Sequence, residues 1–461
     1  LGKLKDADWI IEVVKEDLQI KRGLMEKVAA VRQPGAIISS NTSGISLNSI
    51  AKGLPEEFRR HFLGTHFFNP PRYLPLLELT PIDETLPEVV EYMKYFCDRK
   101  LGKTVVPAKD TPDFIANRIA VPGVMKIIQV MLEDGYTLEE VDKMTGKAIG
   151  WPKSATFRTL DIVGLDVIGN VLKYLYEHLP DDPYRDLLKM PLFMEKMIEK
   201  GLLGQKVKKG FYQNIKKKDG GRELLVIDPE TLEYRPGKKV SLPGIDAGKN
   251  MENTGERIRF LFSGKDKVAE FLQKTLLSTL VYAAERLPEI ADDIMAVDAA
   301  LKNGFMWELG PFETWDAIGV ENIAEKLKGM NQRVPPVAEA LLKSGNKSFY
   351  LRKDGRTLFF DFKEKIYKEA AAVRGIIVLR DLKEQGKVLE ESKEASLIDL
   401  GDGVACLEFH SKMNALGPGM ISMMKKAAKE IAANKNFKGL VIGNQGENFS
   451  AGANIDLVKE S

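Results

Sequence analysis

The chain has 461 residues, room for about three domains of ordinary size, each with a core of its own. Apolar residues make up 44% and charged residues 29%, with a formal net charge of +2, which excludes a disordered chain and any general field for nucleic acid or anionic lipid. Two cysteines, Cys97 and Cys406, and four dispersed histidines, His61, His66, His178 and His410, leave neither a disulfide framework nor a metal cluster, and no apolar run reaches membrane-span length. A metal-free soluble protein of a reducing, cytoplasmic compartment is expected.

The chain opens at Leu1 and enters a strand pattern almost at once, Ile10 to Val14. It stops at Ser461 a few residues into a new helix, so both ends read as those of a fragment. A helix over Asp17 to Val31, a strand over Ala36 to Ser40 and a helix over Leu47 to Lys52 follow. Strands are expected at Phe62 to Phe68, Leu76 to Thr80 and Thr104 to Val106, with a helix from Pro87 to Lys100. This βαβ rhythm predicts an α/β domain over residues 1–110, a Rossmann-type parallel sheet that presents ligand groups at its carboxyl edge.

After Asp110-Thr111-Pro112 the periodicity turns helical: Ile115 to Glu133, Leu138 to Ile149, Leu165 to Leu179 and Leu192 to Lys200. Residues 111–213 read as an all-helical domain and 214–266 as a linker region with a small strand pair. Val141-Asp142-Lys143, Trp151, Phe157 and Leu160-Asp161-Ile162-Val163-Gly164-Leu165 are echoed by Val297-Asp298-Ala299, Trp307, Phe312 and Trp315-Asp316-Ala317-Ile318-Gly319-Val320. The helical domain is therefore expected twice, with its second copy over 267–385. Charged residues dominate Arg380 to Ser396. Beyond them a hairpin turning at Gly401-Asp402-Gly403, a helix from Met420 to Ala433 and a strand from Gly439 to Ile442 open a different α/β domain over 396–461.

The informative chemistry lies in His66-Phe67-Phe68-Asn69-Pro70, with Glu78 at the end of the next apolar run. A histidine titrates near neutrality, so at a strand end it can take a proton from an alcohol, and a carboxylate can hold the imidazole in one tautomer. Ser43, in the polar cluster Ser39 to Ser43, can hydrogen-bond a substrate oxygen or cap the helix at Leu47. Asn117, at the start of the first long helix, can reach across a cleft or face solvent.

These pieces, in this order, resemble the 3-hydroxyacyl-CoA dehydrogenases over nearly all of residues 1–212. The resemblance implies His66 as general base, Glu78 as its partner, and Ser43 and Asn117 as the groups that bind the substrate oxygen. It also places Glu16, Lys21, Ser43, Asn69 and Lys206 around an NAD site. The implied reaction is the NAD-dependent oxidation of an L-3-hydroxyacyl-CoA thioester to the 3-ketoacyl-CoA. Two departures stand out. The family's glycine-rich loop, G-x-G-x-x-G after the first strand, is nowhere in these residues and is expected to precede Leu1. In addition, Pro152 to Phe157 stands where Gly-Pro-Phe is usual, a tripeptide retained in the second copy as Gly310-Pro311-Phe312.

Residues 397–461 resemble the opening of the crotonase, or enoyl-CoA hydratase, fold, through Lys412-Met413-Asn414-Ala415-Leu416 and Phe449-Ser450-Ala451-Gly452-Ala453-Asn454-Ile455. That resemblance implies the Ala451 N–H as one oxyanion-hole donor, with Asn454 where the family more often has Asp. The remaining hydratase groups are expected beyond Ser461, which leaves the stretch inactive as a hydratase. Stand-alone relatives of the dehydrogenase use the helical domain for dimer contacts, so a duplicated one implies a dehydrogenase part that needs no partner subunit. Two other classes stay open from the residues: a non-catalytic CoA-binding protein on the same fold, and another β-hydroxyacid dehydrogenase.

Overall fold

The first sheet consists of β1 (Trp9–Glu12), β2 (Ile37–Ser40), β3 (Phe62–Phe67), β4 (Leu76–Pro81) and β5 (Thr104–Pro107), side by side in that order. The structure, a computed structural model, describes all residues except 217–219, 372–374, 447 and 454–461. It divides into two units, Leu1–Phe349 with Asp361–Ile366, and Tyr350–Phe360 with Tyr367–Ser461.

In the first unit β1, β2 and β3 run parallel, linked through α1 (Leu18–Ala29), α2 (Leu47–Ala51) and α3 (Glu56–Arg60). Asp17 starts α1 by accepting from the Gln19 and Ile20 N–H groups at 2.9 and 3.0 Å. The expected all-parallel sheet is corrected here: β4 runs antiparallel to β3, and β5 is parallel to β4, so the sheet is mixed. Residues 68–75 alone separate β3 from β4, whereas a parallel return takes about a dozen residues or more. Helix α4 (Pro87–Arg99) then packs Val89, Met93 and Cys97 on Leu63, Leu77 and Leu79 of the sheet.

The helical region holds α5 (Ala116–Asp134), α6 (Leu138–Met144), α7 (Phe157–Val163), α8 (Leu165–His178) and α9 (Leu192–Glu199). Where a linker with a strand pair was expected there is a three-stranded sheet, β6 (Tyr212–Lys216), β7 (Arg222–Ile227) and β8 (Tyr234–Pro236), then two helices, α10 (Pro243–Gly248) and α11 (Thr254–Ser263). A second helical set is α12 (Lys267–Ile290), α13 (Ile294–Gly304), α14 (Pro311–Ile318), α15 (Val320–Gly329) and α16 (Pro336–Lys343).

Side chains at the echoed sequence positions make similar hydrogen bonds in the two sets. Asp142 accepts from the Thr156 and Phe157 N–H groups at the start of α7, and Asp298 accepts from Phe312 and Glu313 at the start of α14. Asp161 accepts from the Phe211 N–H at 2.8 Å, and Asp316 from the Phe349 N–H at 2.6 Å. Gly164 and Gly319 join the following helix pairs with φ of 99° and 105°, backbone that a side chain would strain. Trp151 and Trp307 stack face to face, ring centres 4.3 Å apart.

The two sets meet along α5 and α12. Arg118, buried, reaches Asp182 at 2.8 Å and Glu289 at 3.0 Å and donates to the Tyr282 hydroxyl, which itself donates to Asp182 at 3.0 Å. A guanidinium taken out of water is tolerable only with such acceptors, which here engage both terminal nitrogens and leave Nε without a partner.

The second unit contains most of another three-stranded sheet, β9 (Tyr350–Lys353), β10 (Arg356–Asp361) and β11 (Ile366–Glu369). The expectation of helix as far as residue 385 is corrected by it. Asp354-Gly355, with φ of 49° and 69°, is the Asp-Gly hairpin signal that the helical reading passed over. Beyond α17 (Leu379–Glu384) lies the sheet β12-β13-β14-β15, made of Val388–Glu391, Ala395–Gly401, Val404–Phe409 and Gly439–Gly443. The β13–β14 hairpin turns at Gly401-Asp402-Gly403, and α18 (Pro418–Ala433) carries the chain from β14 to a parallel β15.

Replacing Arg118 by alanine leaves Asp182 buried without its cation and should cost on the order of 3–5 kcal/mol. Urea unfolding of the variant against the parent measures it, and an unchanged midpoint would remove this network from the account of how α5 and α12 are held.

Candidate active site

Antiparallel pairing of β3 with β4 sets His66 directly opposite Glu78. Opposed residues of such a pair point to the same face, so the reversal that the sequence reading missed is what brings the two side chains together. His66 Nδ1 lies 2.7 Å from Glu78 Oε2, and both residues are buried, 5% and 0% exposed. The other carboxylate oxygen accepts from the Ile115 and Ala116 N–H groups at 3.1 and 2.8 Å, where α5 begins. An ionised carboxylate only accepts, so opposite it a neutral imidazole carries its proton on Nδ1 and has its lone pair on Nε2. Phe68 and Phe114 flank the ring, with centres 4.6 and 5.6 Å away.

Asn117 follows Ala116 in the first turn of α5, half-buried. It is thus one residue from an amide that holds Glu78, and the anchor of the carboxylate also places the carboxamide.

The loop after β2 is tied down at both ends. Asn41 accepts from the Phe67 N–H at 2.9 Å, which fixes the end of β2 to the end of β3. Asp110 accepts from the Leu47 and Asn48 N–H groups at 2.8 and 2.9 Å and from the Ser46 hydroxyl at 2.9 Å, so it caps α2 from across the sheet. Between these anchors sits Ser43, half-buried, whose N–H donates to Glu16 at 3.0 Å while the Thr42 hydroxyl donates to the same oxygen.

Glu16 also faces Lys21 at 3.0 Å, and Lys21 Nζ, 1% exposed, donates to both oxygens of buried Glu12 at 2.9 and 3.0 Å. The Ser40 hydroxyl donates to Glu12 as well. Glu16, Lys21 and Ser43 are therefore one hydrogen-bonded cluster at the carboxyl edge of β1 and β2. Asn69 stands exposed just past β3, and Lys206, on a single turn over Gln205–Val207, forms an ion pair with Asp166 at the start of α8.

In the second unit the Ala451 N–H donates to the Met413 carbonyl at 3.1 Å, so this donor is already engaged. Asn454 and Ile455 lie outside the described residues. Among the described residues no group of three or more His, Cys, Asp or Glu could hold a metal ion, and no helix is long and apolar enough to cross a membrane.

The sequence reading passed over Glu12, Thr42 and Asp110. A charged residue inside the apolar run Ile10-Ile11-Glu12-Val13 was the available signal for Glu12; Asp110 declares itself only through contacts to residues about sixty positions earlier. Asp110→Ala removes the acceptor of the Leu47 and Asn48 N–H groups, leaves Ser46 as the cap of α2 through Ser49, and should lower stability by about 1–2 kcal/mol, read by thermal unfolding. An unchanged melting temperature would show that the Ser43 loop does not depend on this carboxylate.

Comparison with known proteins gives the following. Residues 1–111 match the 3-hydroxyacyl-CoA dehydrogenase NAD-binding domain, and residues 114–214 match the 3-hydroxyacyl-CoA dehydrogenase C-terminal domain. A probable 3-hydroxyacyl-CoA dehydrogenase of Bacillus subtilis (strain 168) is 47% identical over 456 residues, 99% of this chain and 56% of the relative. A 3-hydroxybutyryl-CoA dehydrogenase of Bradyrhizobium diazoefficiens is 34% identical over 212 residues, 46% of this chain and 70% of the relative. The crystal structure of 3-hydroxybutyryl-CoA dehydrogenase from Escherichia coli K12 shares the fold, with TM-score 0.55 and 22% identity over 75% of this chain and 84% of that one. The chain spans a little more than half the length of the Bacillus relative.

Proposed function

Because this chain belongs to the 3-hydroxyacyl-CoA dehydrogenase family, whose cofactor is NAD, we propose that it oxidises the 3-hydroxyl of an L-3-hydroxyacyl-CoA to the ketone. The observation that carries this reading is the buried His66–Glu78 pair, anchored on the first amides of α5 beside Asn117. His66 Nε2 takes the hydroxyl proton. Glu78, ionised and held by two N–H groups, stabilises the imidazolium that forms. Ser43 and Asn117 donate to the substrate oxygen and orient C3, a contribution on the order of 3 kcal/mol for one well-placed donor.

NAD, when bound, accepts the hydride that leaves C3. The buried Glu12–Lys21–Glu16 cluster, joined to Ser43 at the carboxyl edge of the parallel strands, fits the nicotinamide end of the cofactor in chemistry and in place. Asn69 and Lys206 complete the set. No glycine-rich phosphate loop is among the 461 residues, so these side chains account for the nicotinamide end alone.

We read the second helical set as a copy of the first, on the strength of the Asp142/Asp298, Asp161/Asp316 and Gly164/Gly319 equivalences. Its role is structural, covering within the chain the surface that a second subunit would cover. Sedimentation of the dehydrogenase portion should therefore give a monomer; an obligate dimer would remove this reading. The hairpin, helix and parallel strand over 395–443 support a crotonase-like module, with Ala451 as an oxyanion donor once its bond to Met413 is exchanged for one to substrate.

The whole protein should reduce acetoacetyl-CoA with NADH, and His66→Ala should lower kcat by roughly 10²–10⁴-fold. Undiminished turnover in that variant would refute the assignment of the base, and a parent protein without turnover would favour a CoA-binding role.

A further inference from the structure

Asp113 is a carboxylate that the mechanism above does not use, and its surroundings are unusual. It precedes α5 in left-handed backbone, φ 58°, as does Phe114 at 51°, a conformation that aspartate and asparagine tolerate better than other side chains. It is 2% exposed, and its Oδ2 is buried with no hydrogen-bond partner. A Cβ on Gly44 would lie 3.0 Å from Asp113 N and Oδ1 and 3.1 Å from Tyr174 Cε1, so residue 113, the Ser43–Gly44 backbone and α8 interlock without spare room. The Tyr174 hydroxyl closes this junction by donating to the Gly44 carbonyl at 2.7 Å.

The ionisable groups that act on Asp113, or on Tyr174 beside it, are Glu16, Glu78, Arg118 and Asp110, with Lys21 paired to Glu16 and His66 to Glu78. Burial and the negative charges of Glu16 and Glu78 raise the Asp113 carboxyl well above the ordinary carboxylate range, against a smaller opposing pull from Arg118. The two cations are committed elsewhere, Lys21 to Glu12 and Glu16, Arg118 to Asp182 and Glu289.

We propose that Asp113 is a positioning residue that works as an uncharged carboxylic acid: wedged between the Ser43 loop, α5 and α8, it lets Ser43 and Asn117 converge on His66, and its ionisation drives them apart and sets an alkaline limit on turnover. The proposal rests on the dehydrogenase reading above. It acts through the two segments that carry Ser43 and Asn117. A polar buried acid kept neutral can hold such a junction, whereas a carboxylate there would face Glu16 and Glu78 with no free cation.

The test compares the whole protein with Asp113→Asn, which keeps the shape and the left-handed backbone and cannot ionise. Expected is a kcat close to the parent at neutral pH, with the parent's alkaline decline in kcat absent from the variant. Difference infrared spectroscopy should show a protonated-carboxyl C=O band at neutral pH that the variant lacks. Stability gives a further readout. A carboxyl protonated in the fold and ionised in the unfolded chain makes the fold bind the extra proton, so stability falls as pH rises from about 4 towards the raised value. The melting temperature of the parent relative to the variant should decline over that range. A shared alkaline limb, or no carboxyl band in the parent, overturns the proposal. Loss of turnover in the parent itself overturns the dehydrogenase reading and the positioning role together, while the band and the melting curves still report the proton on Asp113.

Discussion

The Glu78 carboxylate is the constraint on which the site depends. One oxygen accepts a hydrogen bond from His66 Nδ1, and the other accepts from two backbone N–H groups where α5 begins. A fully buried carboxylate without such partners would cost several kcal/mol, so its solvation shell has been replaced by protein groups that each have a second duty. The imidazole is oriented, and the start of α5, with Asn117 in its first turn, is fixed to the sheet. Sheet and helical region are thus joined through the carboxylate that holds His66.

That join has a topological precondition. If β4 had returned parallel to β3 through a crossover helix, Glu78 would emerge at a different edge, away from His66. The short connection over 68–75 forbids this and puts the two residues in direct register. Chemistry here follows from loop length as much as from residue type.

Much of the architecture was legible in the sequence because period and punctuation are local properties. Strands β1 to β5 and helices α1, α4, α5, α8 and α9 fall within a few residues of where alternation, Asp17 and the Gly and Pro positions set them. The pairing direction of β4 was not legible, since apolar runs of that length read alike in parallel and antiparallel sheets. His66 and Glu78 could be singled out from their order along the chain, but their pairing required the fold. Glu12, Thr42, Asp110 and Asp113 were missed for one reason: each is defined by partners distant in sequence, and a carboxylate or hydroxyl alone carries no mark of burial. The sheet over 350–369 was missed through a local signal, Asp354-Gly355, outweighed by the expectation of a helical repeat.

Helix α13 holds none of the candidate site residues, yet it lies against the sheet that does. Asn303 accepts from the Thr104 hydroxyl at 3.1 Å, and a Cβ on Gly304 would stand 2.7 Å from Leu76 Cδ2 and 3.2 Å from Phe68 Cε1. Phe68 in turn borders the His66 ring. A single methyl group at position 304 would therefore press on one phenyl ring that itself packs on the His66 imidazole.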